Sequence, residues 1–167
     1  MNEDNRYAPP RASVSDSPAD NQELASLGAR FAGALIDSII VAIFLWPFLQ
    51  KTDYVTRAQS QEIGMSDLLG LSLIGMILFL VLHGYLLYTS GQTIGKRIVG
   101  TRIVAVRDGQ ILPLGKVFGL RYVPIQLISV IPVLGNVIPI VDVLFIFRED
   151  RRCLHDWLAG TKVVKAR

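Results

Sequence analysis

Two apolar runs, each about 20 residues long, constrain this chain more than any other feature of its sequence. The first covers residues 29–49 and contains one internal charge, Asp37. The second covers residues 67–88, where His83 is the ionisable side chain of the interior. About 20 helical residues, each rising about 1.5 Å, cross the hydrocarbon core of a bilayer. The sequence therefore predicts two transmembrane helices, and the lipid bilayer is the first expected partner.

Composition agrees with this prediction and excludes other classes. Of the 167 residues 51% are hydrophobic and 19% are charged, whereas a soluble domain carries about a quarter charged residues. The net charge of +3 comes without a basic stripe interleaved with aromatic residues, so we expect no nucleic-acid partner. The single cysteine, Cys153, cannot form an internal disulfide, and we interpret it as an inert thiol.

The N-terminal residues differ from the rest in composition. Residues 1–23 are polar and rich in Pro, Ser, Asn and Asp, so they bury too little apolar area to offset chain entropy. We predict a disordered cytoplasmic tail over 1–23 and a membrane domain over 24–167.

A third apolar region, residues 117–147, is interrupted by Pro132-Val-Leu-Gly-Asn136. Its halves are too short for full crossings. The segments 89–121 and 148–167 hold six Lys or Arg each, against two in the loop 51–66. The positive-inside rule places both segments, and hence the N-terminus, in the cytoplasm of a multi-pass cell-membrane protein. We therefore prefer a helical hairpin or re-entrant segment, with a single crossing as the alternative.

A small cytoplasmic β element is expected between and after these helices. Thr101–Val106 is β-branched and precedes Asp108-Gly109, which is a hairpin signal. Residues 111 and 112 would begin a return strand, and Thr161–Lys165 is another short run able to pair with it. The predicted fold class is an all-α membrane protein with two long transmembrane helices, a hairpin or re-entrant segment and this β element.

Two charged residues of the first run, Arg30 at its start and Asp37 inside it, are the main candidate functional residues. Arg30 and Asp37 are seven residues apart, so they share one helix face about 10.5 Å apart along the axis. Asp37 in hydrocarbon needs a protein partner, and His83 lies at a similar depth on the second helix. The pair is interpreted either as a proton or cation site or as a structural hydrogen bond.

Three motifs together resemble one family. They are LGARFAGALIDSII at residues 27–40, GQTIGKR at 91–97 and RRCLHDWLAGT at 151–161. In this order they resemble the RDD family of small, mostly bacterial membrane proteins, named for one arginine and two aspartates. Arg30 and Asp37 match the first two, and Asp156 matches the second aspartate, with Asp142 as the alternative. The resemblance covers residues 24–165.

The resemblance implies transport of an ion or small ligand, with cation–proton exchange proposed for some members. Asp156 is expected at the interface, paired with Lys96, Arg97 or Arg30, either as a structural salt bridge or as part of a functional site. The alternative function is a non-transporting scaffold that binds a partner protein or anionic lipid through its basic face.

Enzymatic chemistry is not predicted. The run Gly91–Lys96 is one residue short of P-loop spacing, and His83, His155 and Cys153 have no usable metal-ligand spacing. We expect no cofactor, no metal and no catalytic residue, and a homo-oligomer because so few helices enclose little volume.

Overall fold

The computed structural model describes residues 22–166. Its helices are α1 Leu27–Lys51, α2 Tyr54–Gln59, α3 Met65–Ser90, α4 Ile94–Ile98, α5 Leu114–Val117, α6 Val123–Ile128, α7 Leu134–Leu144 and α8 Leu154–Ala159. A π-helical turn, Phe118–Tyr122, joins α5 to α6, and a 3₁₀ turn, Phe145–Phe147, follows α7. Two strands, β1 Thr101–Ala105 and β2 Thr161–Lys165, form one sheet. The predicted tail 1–23 lies outside the described residues except for Gln22 and Glu23.

The two long helices are apolar on surfaces that the rest of the protein leaves uncovered. Mean hydropathy reaches 2.1 in α1 and 2.2 in α3, and 11% and 6% of the residues in those stretches are buried. Both helices are long enough to cross a membrane. Large apolar side chains such as Phe44 and Val81 point away from the protein. In water such patches would be unfavourable, so the fold is that of a mostly helical, membrane-associated protein.

The sheet lies beside the end of α1 and α3 at which Arg30 and Tyr88 are found, here called the sheet end. Strands β1 and β2 are antiparallel, with Ile103 opposite Val163. Just before α1, Ala25 N donates to Val163 O and Leu24 forms a bridge with Val164. Alternate strand residues enter a small core made of Ala25, Leu87, Ile103, Leu112, Val117 and Val163. This core fixes the chain segments that carry the charged residues.

The predicted return strand after Asp108-Gly109 is wrong, whereas the pairing of the two β-branched runs is present. Ala105 N donates to Gln110 O, which closes the turn, but residues 111 and 112 form no strand. Leu112 is buried in the core, and Pro113, which lacks an N–H, is the N-cap of α5. Two residues between a turn and a helix are too few to form a ladder. The partner of β1 is therefore β2, from the end of the chain.

Residues 114–147 form two helical segments joined by a tight turn. The chain reverses at 129–133, where Leu134 N donates to Pro132 O across Val133. Val133 has φ 68 and ψ −54, a γ-turn conformation that is rare and strained. A Cβ on Gly135 would lie 2.1 Å from Ser129 O, so only glycine allows this close return of the backbone. Contacts of α6 with α3 and with α7 place the pair beside the second long helix.

Candidate functional site

Asp156 is the centre of the charged residues at the sheet end. It lies in α8 with no exposed surface, and it forms ion pairs with Arg30 of α1 and Arg121 of the π-helical turn. Thr161 Oγ1 donates to Asp156 Oδ1 at 2.8 Å, and Cys153 N donates to Oδ2 at 3.3 Å. One carboxylate thereby connects the first long helix, the π-helical turn and the C-terminal segment.

The charge of Asp156 is maintained by its neighbours. Burial alone would raise the pKa of this carboxyl, but the nearby Arg121, His155 and Arg30 hold its pKa well below the ordinary range. Asp156 is thus ionised at neutral pH and matches the position that the family resemblance assigned to the second aspartate. It pairs with Arg30, one of the partners expected from sequence, and not with Lys96 or Arg97 in any ion pair of the described residues.

Arg121 was not among the candidate residues of the sequence analysis. It is buried and donates to both Asp156 and Thr161 Oγ1. The available signal was a single arginine in an otherwise apolar region, which predicts an inward-facing side chain with an acidic partner. Sequence alone gives no means of choosing that partner, because α8 follows Arg121 by more than 30 residues.

Asp37 accepts hydrogen bonds from the start of α4. Thr93 Oγ1 donates to Oδ2 at 2.5 Å and Gly95 N donates to Oδ1 at 2.7 Å. His83 Nδ1 lies 3.8 Å from Asp37 Oδ1. The fold therefore brings together the two residues whose depths suggested a pair. Asp37 therefore also has a structural role, since its carboxylate accepts from one free N–H group and from the N-cap hydroxyl at the start of α4.

His83 is buried without any exposed surface. Its Nδ1 accepts a hydrogen bond from Ile94 N at 3.3 Å, so the ring proton of this arrangement belongs on Nε2. Nε2 has no hydrogen-bond partner among residues 22–166. A buried, unpaired ring nitrogen is costly in a purely structural role.

Lys96 follows in α4 and is also buried. Burial, together with the charge of Arg121, lowers the pKa of its ammonium to about 8, and Asp37 opposes this shift. The close contact of α4 with α1 depends on glycine, because a Cβ on Gly95 would lie 2.1 Å from Gly33 O and 2.9 Å from Asp37 Oδ1. Asp37, His83 and Lys96 are called the Asp37 cluster below.

Asp142 is paired with His155, not with an arginine. His155 N donates to Asp142 Oδ1 at 2.8 Å, and His155 Nδ1 lies 2.6 Å from Oδ2. Burial and the charge of Arg121 lower the pKa of His155, although Asp142 opposes the shift. This places Asp142, the alternative second aspartate, next to Asp156 without an arginine of its own among the ion pairs of the described residues.

The fold also brings Cys153 near the Asp142–His155 pair, which sequence spacing did not predict. Potential metal-donor atoms of Asp142, Cys153 and His155 lie within 4.8 Å of one another. Burial raises the pKa of the Cys153 thiol to about 11, with Asp156 adding to the shift. A metal ion would have to displace the thiol proton, and Asp142 already binds His155 through both oxygens. The absence of a metal remains a prediction.

A cavity of about 570 Å³ lies between α1, α3 and the segment 118–130. Its walls are mostly apolar and include Leu45, Phe79 and Ile125. Arg121, Asp142 and His155 line it where it approaches the sheet end. The Asp37 cluster does not line it.

Comparison with known proteins identifies the family. A sequence model described as RDD family matches residues 24–160. The chain belongs to the RDD family. The uncharacterized protein YckC of Bacillus subtilis is 34% identical over 138 residues, which cover 82% of each chain. An uncharacterized protein of Haemophilus influenzae is 33% identical over 94 residues, 55% of this chain and 56% of that relative, so the match spans about half of it.

No solved structure matches this RDD-family chain. The family match covers both long helices, the α4 region and α8. It therefore includes Arg30, Asp37 and Asp156, the three residues for which the resemblance was drawn. Arg30 and Asp156 meet directly, whereas Asp37 belongs to a neighbouring cluster around α4.

Proposed function

We propose that this RDD-family protein is a multi-pass cell-membrane carrier of an ion or small ligand that exchanges protons against a monovalent cation. Asp37 is the carboxylate that carries the proton or cation, His83 is its partner, and Arg30 is the charge at the sheet-end side. The carrier acts as a homo-oligomer and performs no enzymatic chemistry.

The observation that carries the proposal is the contact between Asp37 and His83. Their side chains approach to 3.8 Å inside two helices that are each long enough to cross a membrane. Ionisable side chains at such depth are costly and mark ion paths or proton relays in membrane proteins. The unpaired His83 Nε2 supports the same proposal, because its N–H is free to donate to a water or a ligand.

Binding at Asp37 would be coupled to movement of α4. Thr93 Oγ1 and Gly95 N both donate to its carboxylate, and hydrogen bonds to an ionised acceptor are stronger than those to a neutral one. A proton on Asp37 therefore weakens the attachment of α4 to α1. Lys96 lies in the same short helix, so its charge would move with it.

The orientation follows from the charges. The sheet end carries the segments with most Lys and Arg, and the loop between the long helices carries Lys51 and Arg57. The positive-inside rule therefore favours a cytoplasmic sheet end and N-terminus. The segments 114–128 and 134–147 are about 22 Å and about 21 Å long at about 1.5 Å per residue, which is short of a bilayer core of about 30 Å. This supports a re-entrant segment that returns to the cytoplasm.

The direct test is cation-driven proton flux in liposomes. The full chain is reconstituted with a pH-sensitive dye inside, and a sodium or potassium gradient is imposed. Wild type is expected to move protons against the cation, and Asp37→Asn and His83→Gln are expected to show background flux. Background flux in wild type, or equal flux in wild type and both variants, would end the exchange proposal.

Matched controls separate transport from folding. Glu149→Gln removes an exposed carboxylate at the sheet end and should leave the flux unchanged. Because Asp37 also holds α4, Asp37→Asn is compared with wild type by thermal unfolding in detergent. His83→Gln is the second variant for this comparison. His83 accepts one hydrogen bond from α4, and its ion-pair contact among the described residues is with Asp37, so we expect its loss to disturb the fold less.

A scaffold that binds a partner protein or anionic lipid is the second candidate. The observation that favours it is a set of exposed cationic side chains near the sheet end, namely Arg97, Arg107, Lys116, Arg148 and Arg151. Each such charge near an anionic surface contributes about 1 kcal/mol. Retention of anionic over zwitterionic lipid by wild type, reduced in Arg148→Gln/Arg151→Gln, together with background flux, would favour the scaffold.

A further inference from the structure

The cavity between α1, α3 and the segment 118–130 has the form of a site for one chain-like molecule. Its lining on α3 extends from Leu68 to Phe79, which is about 16 Å along the helix axis at about 1.5 Å per residue. The volume of about 570 Å³ is within the range of about 300–1,000 Å³ that small-molecule sites occupy. Long, apolar walls suit a single hydrocarbon chain.

Arg121 supplies a polar group at one end of this cavity. The side chain is 4% exposed, and its NH1 donates to Asp156 and Thr161. Its Nε has no hydrogen-bond partner among residues 22–166. A buried guanidinium N–H without an acceptor is costly, and only an acceptor, preferably an anionic oxygen, can satisfy it.

Charge at that end favours an anion. The guanidinium groups of Arg30 and Arg121 pair with the Asp156 carboxylate, and Arg152 NH2 donates to the backbone carbonyl of Asp156 at 3.3 Å. Asp142 is the carboxylate that lines the cavity, and it is bound to His155. Positive charge therefore exceeds negative charge around Asp156.

We propose that this cavity binds a single-chain fatty carboxylate, with the hydrocarbon chain along α3 and the carboxylate accepting a hydrogen bond from Arg121 Nε. The site is separate from the Asp37 cluster, whose residues do not line the cavity. The fatty-carboxylate proposal can therefore be tested independently of the exchange proposal.

The test is binding of radiolabelled oleate to the full chain in detergent, with oleyl alcohol as a ligand of the same chain without the charge. Oleate is expected to bind saturably at one site per protomer. Oleyl alcohol is expected to bind at least about tenfold more weakly, since a hydrogen bond to a charged group contributes about 1.5–3 kcal/mol. Equal affinity for the two ligands, or no saturable oleate binding, would overturn the proposal.

Two glycines of α3 give a matched pair of variants. Gly75 lines the cavity, whereas Gly70 lines a different pocket near the other end of the helix pair. A Cβ at either glycine meets no atom within 4 Å, so both substitutions are sterically permitted. Gly75→Leu should fill the cavity and weaken oleate binding at least about tenfold, and Gly70→Leu should bind as wild type does. Unchanged binding in Gly75→Leu, or equal losses in the two variants, would refute the site.

Discussion

At the scale of single residues, Asp156 is a buried carboxylate whose stability in the fold depends on two arginine partners. It is fully buried between Arg30 and Arg121, and removing one partner of a buried ion pair costs about 3–5 kcal/mol. We expect Asp156→Asn to lower the free energy of unfolding in detergent by that amount. Asp67→Asn is the matched control, because Asp67 pairs at 2.7 Å with a half-exposed Arg57, and a surface pair of this kind contributes little to stability. Similar losses in the two variants would contradict the assignment.

Lys96 gives a prediction about pH. The folded-state pKa of about 8 lies below the ordinary value of 10.5, so between these values the unfolded chain binds more protons than the folded chain. Stability should therefore rise as the pH increases from about 8 to about 10.5. Lys96→Met should remove this rise, whereas Lys116→Met, at an exposed site, should keep it. The measurement is the thermal midpoint of the three proteins across that window, and a rise that persists in Lys96→Met would show that another group causes it.

At the scale of elements, the crossing of α1 and α4 depends on two glycines. The backbone of Gly95 approaches Gly33 so closely that a methyl group would lie 2.1 Å from Gly33 O. Gly95→Ala should separate the helices, break the Gly95 N–Asp37 hydrogen bond and destabilise the fold by about 2 kcal/mol or more. Gly28→Ala in α1, where a Cβ meets nothing within 4 Å, should be neutral or slightly stabilising. Thermal unfolding of both variants checks this, and a neutral Gly95→Ala would be inconsistent with the close crossing.

The elements also show how far sequence reasoning extends. The two long apolar runs predicted α1 and α3, because a continuous apolar run of about 20 residues is typical of a helix that crosses a membrane. The arrangement around Asp37 followed in part from helix periodicity, which placed His83 at a similar depth. What periodicity could not supply was the identity of distant partners. Arg121 meets Asp156, and β1 pairs with β2 instead of residues 111 and 112, because these contacts are chosen by packing between segments far apart in sequence.

At the scale of the whole molecule, the proposed orientation predicts which positions face each side of the membrane. Single cysteines are placed at Gln61, Asp108 and Asn136, all exposed, in a Cys153→Ser background. A membrane-impermeant maleimide added to intact cells should label Gln61→Cys and should label Asp108→Cys only after permeabilisation. Asp108→Cys labelling in intact cells would reverse the orientation.

Maleimide labelling of Asn136→Cys distinguishes a re-entrant path of residues 114–147 from one that crosses the membrane. The tip of this segment exposes Ile131, Val133 and Leu134, and several of its N–H groups are bonded within the turn, as Gly135 N is to Ile131 O. Pro132 has no N–H to satisfy. A turn with bonded N–H groups is less costly in hydrocarbon than an open loop. We therefore expect the tip to lie within the bilayer and Asn136→Cys to be labelled slowly from either side. Rapid labelling from outside would instead show that the two segments reach the outer surface. The hydrocarbon core around this protein would then have to be thinner than its usual thickness of about 30 Å.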